Sequence, residues 1–180
     1  MTDPHTDPRI QTLLDKQEIT DVINLYLRGA DRADIPLIAD AYHPDAIEDH
    51  GGVYHGPASD YVALMAKMLP KGGIMNHLAT NIVIEVDGDI ARAEHYILAF
   101  ARMKEKGGDK FDTLTLARAV DRFERRDGKW KIALRRLAWE WNHEMPLTES
   151  WGRGMMFPEG TELTRGAKHP HDVLYQMAAD

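Results

Sequence analysis

The sequence predicts one α+β domain in which long antiparallel strands follow N-terminal helices and enclose a small-molecule pocket. Its 180 residues suit a single domain with a sizeable core. Apolar residues follow helical spacing through the first part of the chain, up to about Met68. The period then changes to the alternation of strands. Helices first and a strand meander afterwards are typical of the α+β class.

Three helices are expected before the sheet. The first runs from Ile10 to about Ala30, and the second from about Asp34 to Ala41 with Pro36 in its first turn. His43-Pro44-Asp45 ends the second helix, because a residue before proline avoids helical angles. The third helix begins in the region 57–59, ends at Pro70 and follows a short extended segment over 46–54.

The long strands are separated by turn sequences. Asp87-Gly88 and Asp127-Gly128 each predict a tight hairpin, because Asp-Gly supplies the positive φ angles of a type I′ turn. A charged, glycine-containing stretch at 104–109 predicts a third hairpin loop. The four strands are expected over residues 74–86, 90–103, 113–125 and 130–141.

The chain divides into a loose tail over 1–9, an α+β domain over 10–142 and an irregular C-terminal extension over 143–180. Prolines and glycines interrupt the extension, although Val173 to Ala179 predicts a last helical turn. Its apolar residues are too many for a free tail, so the extension is expected to pack on the domain or on a neighbouring subunit. These residues are Trp151, Met155, Met156 and Phe157.

Composition excludes several classes of function. The net charge of −7 argues against nucleic-acid binding and against anionic lipid surfaces. Cysteine is absent, which removes disulfides, thiolate metal sites and a cysteine nucleophile. The first ten residues lack the basic and apolar regions of a signal peptide, and no apolar run reaches the length of a membrane span. A cytoplasmic location is the expectation.

Two motifs resemble the SnoaL-like branch of the nuclear transport factor 2-like superfamily. One is Tyr42-His43-Pro44-Asp45-Ala46 followed by Gly51 and Gly56-Pro57, and the other is the ten-residue run FERRDGKWKI over 123–132. The likeness covers about residues 10–142 and leaves the extension unmatched. It implies a cone: a curved, mostly antiparallel sheet wrapped around three helices and open at one end into an apolar cavity.

A narrower resemblance implies an active site. Tyr26, Asp31 and His77 stand where scytalone dehydratase, hexachlorocyclohexane dehydrochlorinase and the bile-acid 7α-dehydratases carry comparable residues. In these relatives an aspartate just after the first helix orients a histidine at the start of the first long strand. The spacing from Tyr26 to Asp31 is similar to that of the bile-acid dehydratases.

Those residue types suit the removal of a proton from carbon. Histidine titrates near working pH, and a carboxylate on one ring nitrogen leaves the other nitrogen as an acceptor. We therefore predict His77 as base, Asp31 as its orienting partner and Tyr26 as hydrogen-bond donor to a carbonyl or leaving oxygen, with no metal or cofactor. The alternatives are a structural histidine at a strand start, a solvated or capping aspartate and a core tyrosine.

Four further residues are candidates for substrate binding. Alternation points one of Asp49 and His50 inward, and it places Arg118 and Asp121 on opposite faces of their strand. A surface strand position is the alternative for His50, and a surface salt bridge is the alternative for Arg118 and Asp121. Trp139 is expected on the same face as Trp141 if the strand has no bulge, as pocket wall or subunit contact.

Alternation also makes predictions for neighbouring residues. One of Arg135 and Arg136 must point inward, where it could bind an anionic group, and Trp130, Ile132 and Leu134 are expected in the core. His43 and His55 are expected to be exposed. The sequence motifs His43-Asp45 and Asp49-His50 match no established spacing of metal ligands.

The preferred function is a cofactor-independent lyase, dehydratase-like, or an isomerase, acting on a small cyclic hydrophobic molecule. One rival is a non-catalytic ligand-binding or assembly module similar to the β subunit of a ring-hydroxylating dioxygenase. Another is an aldol catalyst similar to a polyketide cyclase. By analogy with the dehydratases, a homo-oligomer is expected, with a trimer preferred over a dimer.

Overall fold

A computed structural model describes residues 7–104, 107–149 and 161–177. Six strands form one sheet, three helices precede its long strands and a short helix lies in the extension. The helices are α1 (Pro8–Arg32), α2 (Ile35–Asp40), α3 (Ala58–Met68) and α4 (Val173–Met177), with a 3-10 turn at Leu69–Lys71. The strands are β1 (Tyr42–Asp49), β2 (His55–Pro57), β3 (Met75–Asp87), β4 (Ile90–Lys104), β5 (Lys110–Arg126) and β6 (Lys129–Pro146).

The first helix is longer than predicted at both ends. It begins at Pro8, since proline suits the first helical turn and the Asp7 carboxylate caps the helix by accepting from Arg9 N at 2.9 Å. It ends at Arg32, followed by Ala33 in the left-handed conformation at φ 55°. Asp31 is therefore in the last turn of α1, and the expectation that it follows the helix is wrong.

The sheet has the strand order β2-β1-β6-β5-β4-β3. Only β1 and β6 pair in parallel, and every other described pair is antiparallel. The predicted hairpin turn between β5 and β6 has positive φ at both Asp127 (52°) and Gly128 (73°), which matches the right-handed twist of the strands it joins. The α+β class and the mostly antiparallel sheet on three N-terminal helices are confirmed.

Two register shifts between β5 and β6 overturn predictions made from strict alternation. Trp139 pairs with Ala117 and Trp141 with its neighbour Leu116, so the two tryptophans do not share a face. The second shift displaces Leu134, which is only half-buried and is not in the core. Trp130 and Ile132 are buried as predicted.

The core lies between α1 and the concave face of the sheet. Ile19 and Ile23 of α1 are fully buried, and Phe123 and Ile132 meet them from β5 and β6. The buried Asp15 carboxylate fastens the helix by accepting from Trp130 Nε1 at 3.0 Å and Arg125 Nη1 at 2.7 Å. Within the described ranges, no helix combines the length and hydrophobicity that crossing a bilayer requires.

The C-terminal extension is described from residue 161 to residue 177. Its short helix α4 lies where the sequence predicts a last helical turn, and the final residues of that predicted turn are outside the described ranges. The four apolar residues expected to pack on a neighbour also lie outside the described residues. They are Trp151, Met155, Met156 and Phe157.

Candidate functional site

Asp31 and His77 meet where the end of α1 crosses the start of β3. His77 Nδ1 lies 2.6 Å from Asp31 Oδ1, and the backbone N–H of His77 donates to both carboxylate oxygens at 3.1 Å. One carboxylate thus binds the main chain and the ring of the same histidine. This double attachment fixes the imidazole relative to the helix.

The partner of Nδ1 determines the arrangement of protons. An ionised carboxylate only accepts hydrogen bonds, so Nδ1 carries the proton and Nε2 of the neutral ring is left as an acceptor. The side chains of His77 and Asp31 are 20% and 12% exposed, which places the pair near the surface of the cone and not in its core. This arrangement suits a base oriented by an acid.

Close packing of α1 on α2 sets the position of Asp31. A Cβ on Gly29 would lie 2.9 Å from Ile38 Cγ1 and 3.1 Å from Asp34 O, so a side chain there would push the helices apart. Ala33 in the left-handed conformation then turns the chain into α2. The Asp31 carboxylate is consequently presented towards β3 by a rigid corner.

A pocket of about 620 Å³ lies beside Asp31. Its walls combine apolar side chains with charged ones, and they come from α1, from the ends of β3 to β6 and from the C-terminal extension. Representative members are Asp31, Ile74, Phe100, Arg102, Thr113 and Lys168. His77 does not line this pocket. Asp31 does, and it is the residue that connects the pocket to the His77 ring.

Asp121 and Arg135 form a sealed ion pair in the interior. Arg135 Nε and Nη2 donate to the two Asp121 oxygens at 2.8 and 2.7 Å, and both side chains are essentially unexposed. The guanidinium also lies over the Tyr26 ring, 4.3 Å from its centroid. Alternation requires one of Arg135 and Arg136 to point inward. The inward residue is Arg135, and Arg136 is exposed. The alternative expectation, that Asp121 forms a salt bridge on the surface, is therefore wrong.

Polar atoms without partners surround this ion pair. Arg135 Nη1 and both ring nitrogens of the fully buried His95 make no hydrogen bond within the described residues. Burial lowers the pKa of His95 to about 4, so the ring is neutral at physiological pH. A neutral imidazole beside an arginine avoids a second buried positive charge.

His50 belongs to a second carboxylate–imidazole pair. Its Nδ1 lies 2.7 Å from Oε1 of the fully buried Glu48, whose Oε2 accepts from the Tyr42 hydroxyl at 2.7 Å. The imidazole stacks on Tyr61 with ring centroids 5.0 Å apart, and it contacts Trp139 edge-on at 5.6 Å. His50 and Trp139 therefore meet each other at the end of β1, and not at the Asp31–His77 pair.

Tyr26 lies in the interior and does not line the pocket beside Asp31. Its hydroxyl faces those of Tyr42 and Tyr61, and burial raises its pKa. The phenol is thus neutral and able to donate a hydrogen bond. Its contact with Arg135 links it to the sealed ion pair.

Two other predicted positions are displaced. Arg118 lies on the outer face of the sheet, where it pairs with Glu94 at 3.1 Å and Glu140 at 3.0 Å, and it does not point into the cone. His43 is buried and bonds through Nε2 to Glu124 O at 2.8 Å, so its predicted exposure is wrong. His55 is exposed as expected.

Sequence reasoning missed Glu48 and Lys168. Nothing in the sequence indicates that Glu48 is buried, because its burial depends on the parallel pairing of β1 with β6. Lys168 comes from the extension, whose path no periodicity indicates. Among the described residues, no three histidine, aspartate or glutamate side chains converge as metal ligands.

The comparisons with known proteins agree with this architecture. Solved structures similar to the chain include a type 2 hexachlorocyclohexane dehydrochlorinase (LinA), with 20% identity, a TM-score of 0.70 and coverage of 82% of this chain and 99% of that chain. A protein provisionally named a scytalone dehydratase, from Novosphingobium aromaticivorans, has 17% identity, a TM-score of 0.66 and coverage of 77% and 97%. An NTF2-like protein with a cystatin-like fold, from the same species, has 21% identity, a TM-score of 0.64 and coverage of 77% of this chain and 91% of that chain.

At these identities the structural likeness establishes the fold alone. A search of curated proteins gave no match. The sequence profile of the SnoaL-like domain matches residues 11–136, which is more than half of the chain. The chain therefore belongs to the SnoaL-like domain family.

Proposed function

We propose that the protein is a cofactor-independent lyase of the dehydratase type, or a related isomerase, acting on a small cyclic hydrophobic molecule. The observation that carries the proposal is the 2.6 Å contact between His77 Nδ1 and Asp31 Oδ1, in which Asp31, but not His77, lines a pocket of ligand size. The names of two structural neighbours, a dehydrochlorinase and a provisionally named dehydratase, support the same class of reaction.

In this proposal His77 Nε2 removes a proton from a carbon of the substrate. The proton and the Nδ1 proton then make the ring an imidazolium, which the Asp31 carboxylate stabilises. The electron pair of the broken C–H bond forms a C=C double bond as the leaving group departs with its bonding electrons. In an isomerisation the same pair forms the new C=C bond, and the displaced π pair takes the proton back from His77 at a different carbon. An acid–base group so placed contributes about 10²–10⁴-fold in rate.

Tyr26 is assigned the hydrogen bond to a carbonyl or leaving oxygen, a role that requires the substrate to extend beyond the pocket beside Asp31 into the interior, because Tyr26 does not line that pocket. It lies on α1 before Asp31, and its raised pKa keeps the phenol protonated at neutral pH. Apolar side chains in the pocket wall, Ile74, Met75 and Phe100 among them, favour a hydrophobic ring as the body of the substrate. His50 and Trp139 would contact that ring only if it reached the end of β1.

The test is turnover of a panel of cyclic hydroxyketones, halocarbons and enones, followed by chromatography. We expect His77→Ala and Asp31→Asn to lower kcat for any compound turned over by about 10²–10⁴-fold. His55→Ala removes an exposed imidazole elsewhere and is expected to leave kcat unchanged. Normal turnover by both site variants would overturn the roles assigned to His77 and Asp31.

A row of apolar side chains on the outer face of the sheet favours a homo-oligomer, with a trimer proposed over a dimer. Leu78 pairs with Leu98, Leu98 with Leu116 and Leu116 with Trp141, so the row crosses β3 to β6. Leu78 and Trp141 are 46% and 43% exposed in the single chain. Light scattering after gel filtration should give a multiple of the 20.4 kDa chain mass, and Leu98→Glu should lower it.

The same row supports the rival function, an assembly module comparable to a dioxygenase β subunit. In that case the outer face would bind a different chain, and the pocket would do no chemistry. A monomer by light scattering, with no turnover across the panel, would favour this rival over the lyase.

A further inference from the structure

The C-terminal extension folds back onto the last turn of α1 and becomes part of the pocket. Lys168 Nζ donates to the backbone oxygen of Asp31 at 2.9 Å, and the next residue, His169, donates its N–H to Arg32 O at 2.6 Å. The chain just before these contacts, including Gly166 and Ala167, forms one wall of the hollow. The extension thus reaches the residue that holds the proposed base.

Two side-chain contacts hold the extension in this position. Asp172 lies 3.3 Å from Arg32 Nε, and the Tyr175 hydroxyl donates to Asp34 Oδ2 at 2.7 Å. Asp172 is itself buried and accepts from the N–H of Ala167 at 2.9 Å. The extension is therefore attached to α1 and α2 independently of the lysine.

Among the described residues around the pocket, every charged side chain except that of Lys168 has an oppositely charged partner or, in the case of Asp31, a histidine ring. Arg102 pairs with Asp112 at 2.8 Å, and Glu149 is paired with both Arg102 and Arg165. Within the described ranges, Lys168 makes no salt bridge, and its hydrogen bond to Asp31 uses one of its three N–H donors. The Lys168 side chain is half-buried, so the ammonium is partly removed from water, and this burial lowers its pKa.

We propose that Lys168 is an anion-binding group and that the pocket takes a cyclic or aromatic molecule carrying a carboxylate. An ammonium that is partly dehydrated gains more from a carboxylate than an ammonium on the open surface does. The ring of the ligand would lie against the apolar wall formed by Ile74 and Phe100, with its carboxylate on Lys168. This inference rests on the proposed function, which takes the pocket as the substrate site.

Binding is measured without turnover, by isothermal titration calorimetry with cyclohexanecarboxylate and with cyclohexanecarboxamide. The two probes have similar shapes and differ in charge. For the wild-type chain we expect a Kd about tenfold lower for the carboxylate, and we expect Lys168→Met to bind both equally, a loss equivalent to about 1.4 kcal/mol. Lys168→Arg should keep most of the preference, because it keeps the positive charge.

Three control variants separate charge from structure. Lys67→Met removes an exposed lysine of α3, and Tyr175→Phe loosens the extension while leaving the ammonium in place. Both should retain the preference for the carboxylate, and so should His77→Ala, because the backbone oxygen of Asp31 that accepts from Lys168 stays in place. Raising the salt from 20 mM to about 500 mM should shrink the preference in every protein that has it.

The outcomes distinguish the two proposals. Equal affinities in the wild-type chain, no measurable carboxylate binding at millimolar concentration, or a preference that survives in Lys168→Met would each overturn the role of Lys168. Loss of the preference in Tyr175→Phe as well would make Lys168 a structural tether only. Suppose that the wild-type chain turns over no compound and that Lys168→Met loses carboxylate binding. The role of Lys168 would then stand, and the proposed lyase activity would be rejected.

Discussion

Two pairs of acidic and basic side chains differ in almost every physical respect. The Asp31–His77 pair lies at the rim of the cone, partly exposed, next to a pocket of about 620 Å³ and the C-terminal extension. The Asp121–Arg135 pair lies in the sealed interior, next to buried polar groups that have no hydrogen-bond partner among the described residues. The rim pair is partly exposed, whereas the interior pair is buried, so that each charge there depends on the other for compensation.

The largest effect on stability should come from breaking the interior pair. We expect Asp121→Asn to lower the free energy of unfolding by about 3–5 kcal/mol, because Arg135 would remain buried without its counter-charge. Urea unfolding followed by circular dichroism measures this loss. The double variant Asp121→Leu/Arg135→Met removes both charges and should lose less than Asp121→Asn. A loss below about 1 kcal/mol in Asp121→Asn would mean that water reaches the pair.

His95 should make the interior sensitive to acid. Burial lowers its pKa to about 4 in the folded chain, against about 6.5 when unfolded, so the unfolded chain binds more protons between these values. Stability should therefore fall as the pH drops from 6.5 to 4, by up to about 3 kcal/mol from this residue. Urea unfolding at pH 7 and pH 4.5 measures the loss, and His95→Gln should reduce it. An equal loss in both proteins would assign it to other groups.

The sequence predicted the rim pair better than the interior pair for a physical reason. Asp31 and His77 stand at the ends of two strongly patterned elements, where a motif resemblance could bring them together. Asp121 and Arg135 meet through the register of β5 and β6, which contains two shifts that alternation cannot foresee. The same shifts explain the misplaced Leu134 and the separated faces of Trp139 and Trp141.

The parts of the site that come from irregular chain could not be predicted at all. Lys168 reaches Asp31 from a segment with no period, after a stretch rich in glycine and proline. Its position follows from a few side-chain contacts, such as that of Tyr175 with Asp34. Helices and strands can be predicted because their burial repeats along the chain as a periodic apolar pattern. A single contact that holds an irregular segment in place leaves no such pattern in the sequence.

A change at the rim pair should separate function from folding. We expect His77→Gln to lower the free energy of unfolding by about 1 kcal/mol, because the ring is partly exposed and the backbone N–H of residue 77 still donates to Asp31. Turnover of any substrate should nevertheless fall as in His77→Ala, since glutamine does not act as a base. Parallel urea unfolding and kinetic measurements test this contrast. A stability loss as large as that of Asp121→Asn would contradict it.

The smallest effect is expected on the outer face of the same strand that carries Asp121. Arg118 is paired there with Glu94 and Glu140, but these side chains are partly exposed and water screens their charges. Glu94→Gln should therefore cost less than about 1 kcal/mol in urea unfolding, and about 0.5 M salt should erase even that difference. Asp121→Asn should keep its deficit in the same salt, because ions do not enter the interior. Equal salt responses of the two variants would show that burial does not separate the two faces of β5, and the contrast between exposed and buried ion pairs would then need another cause.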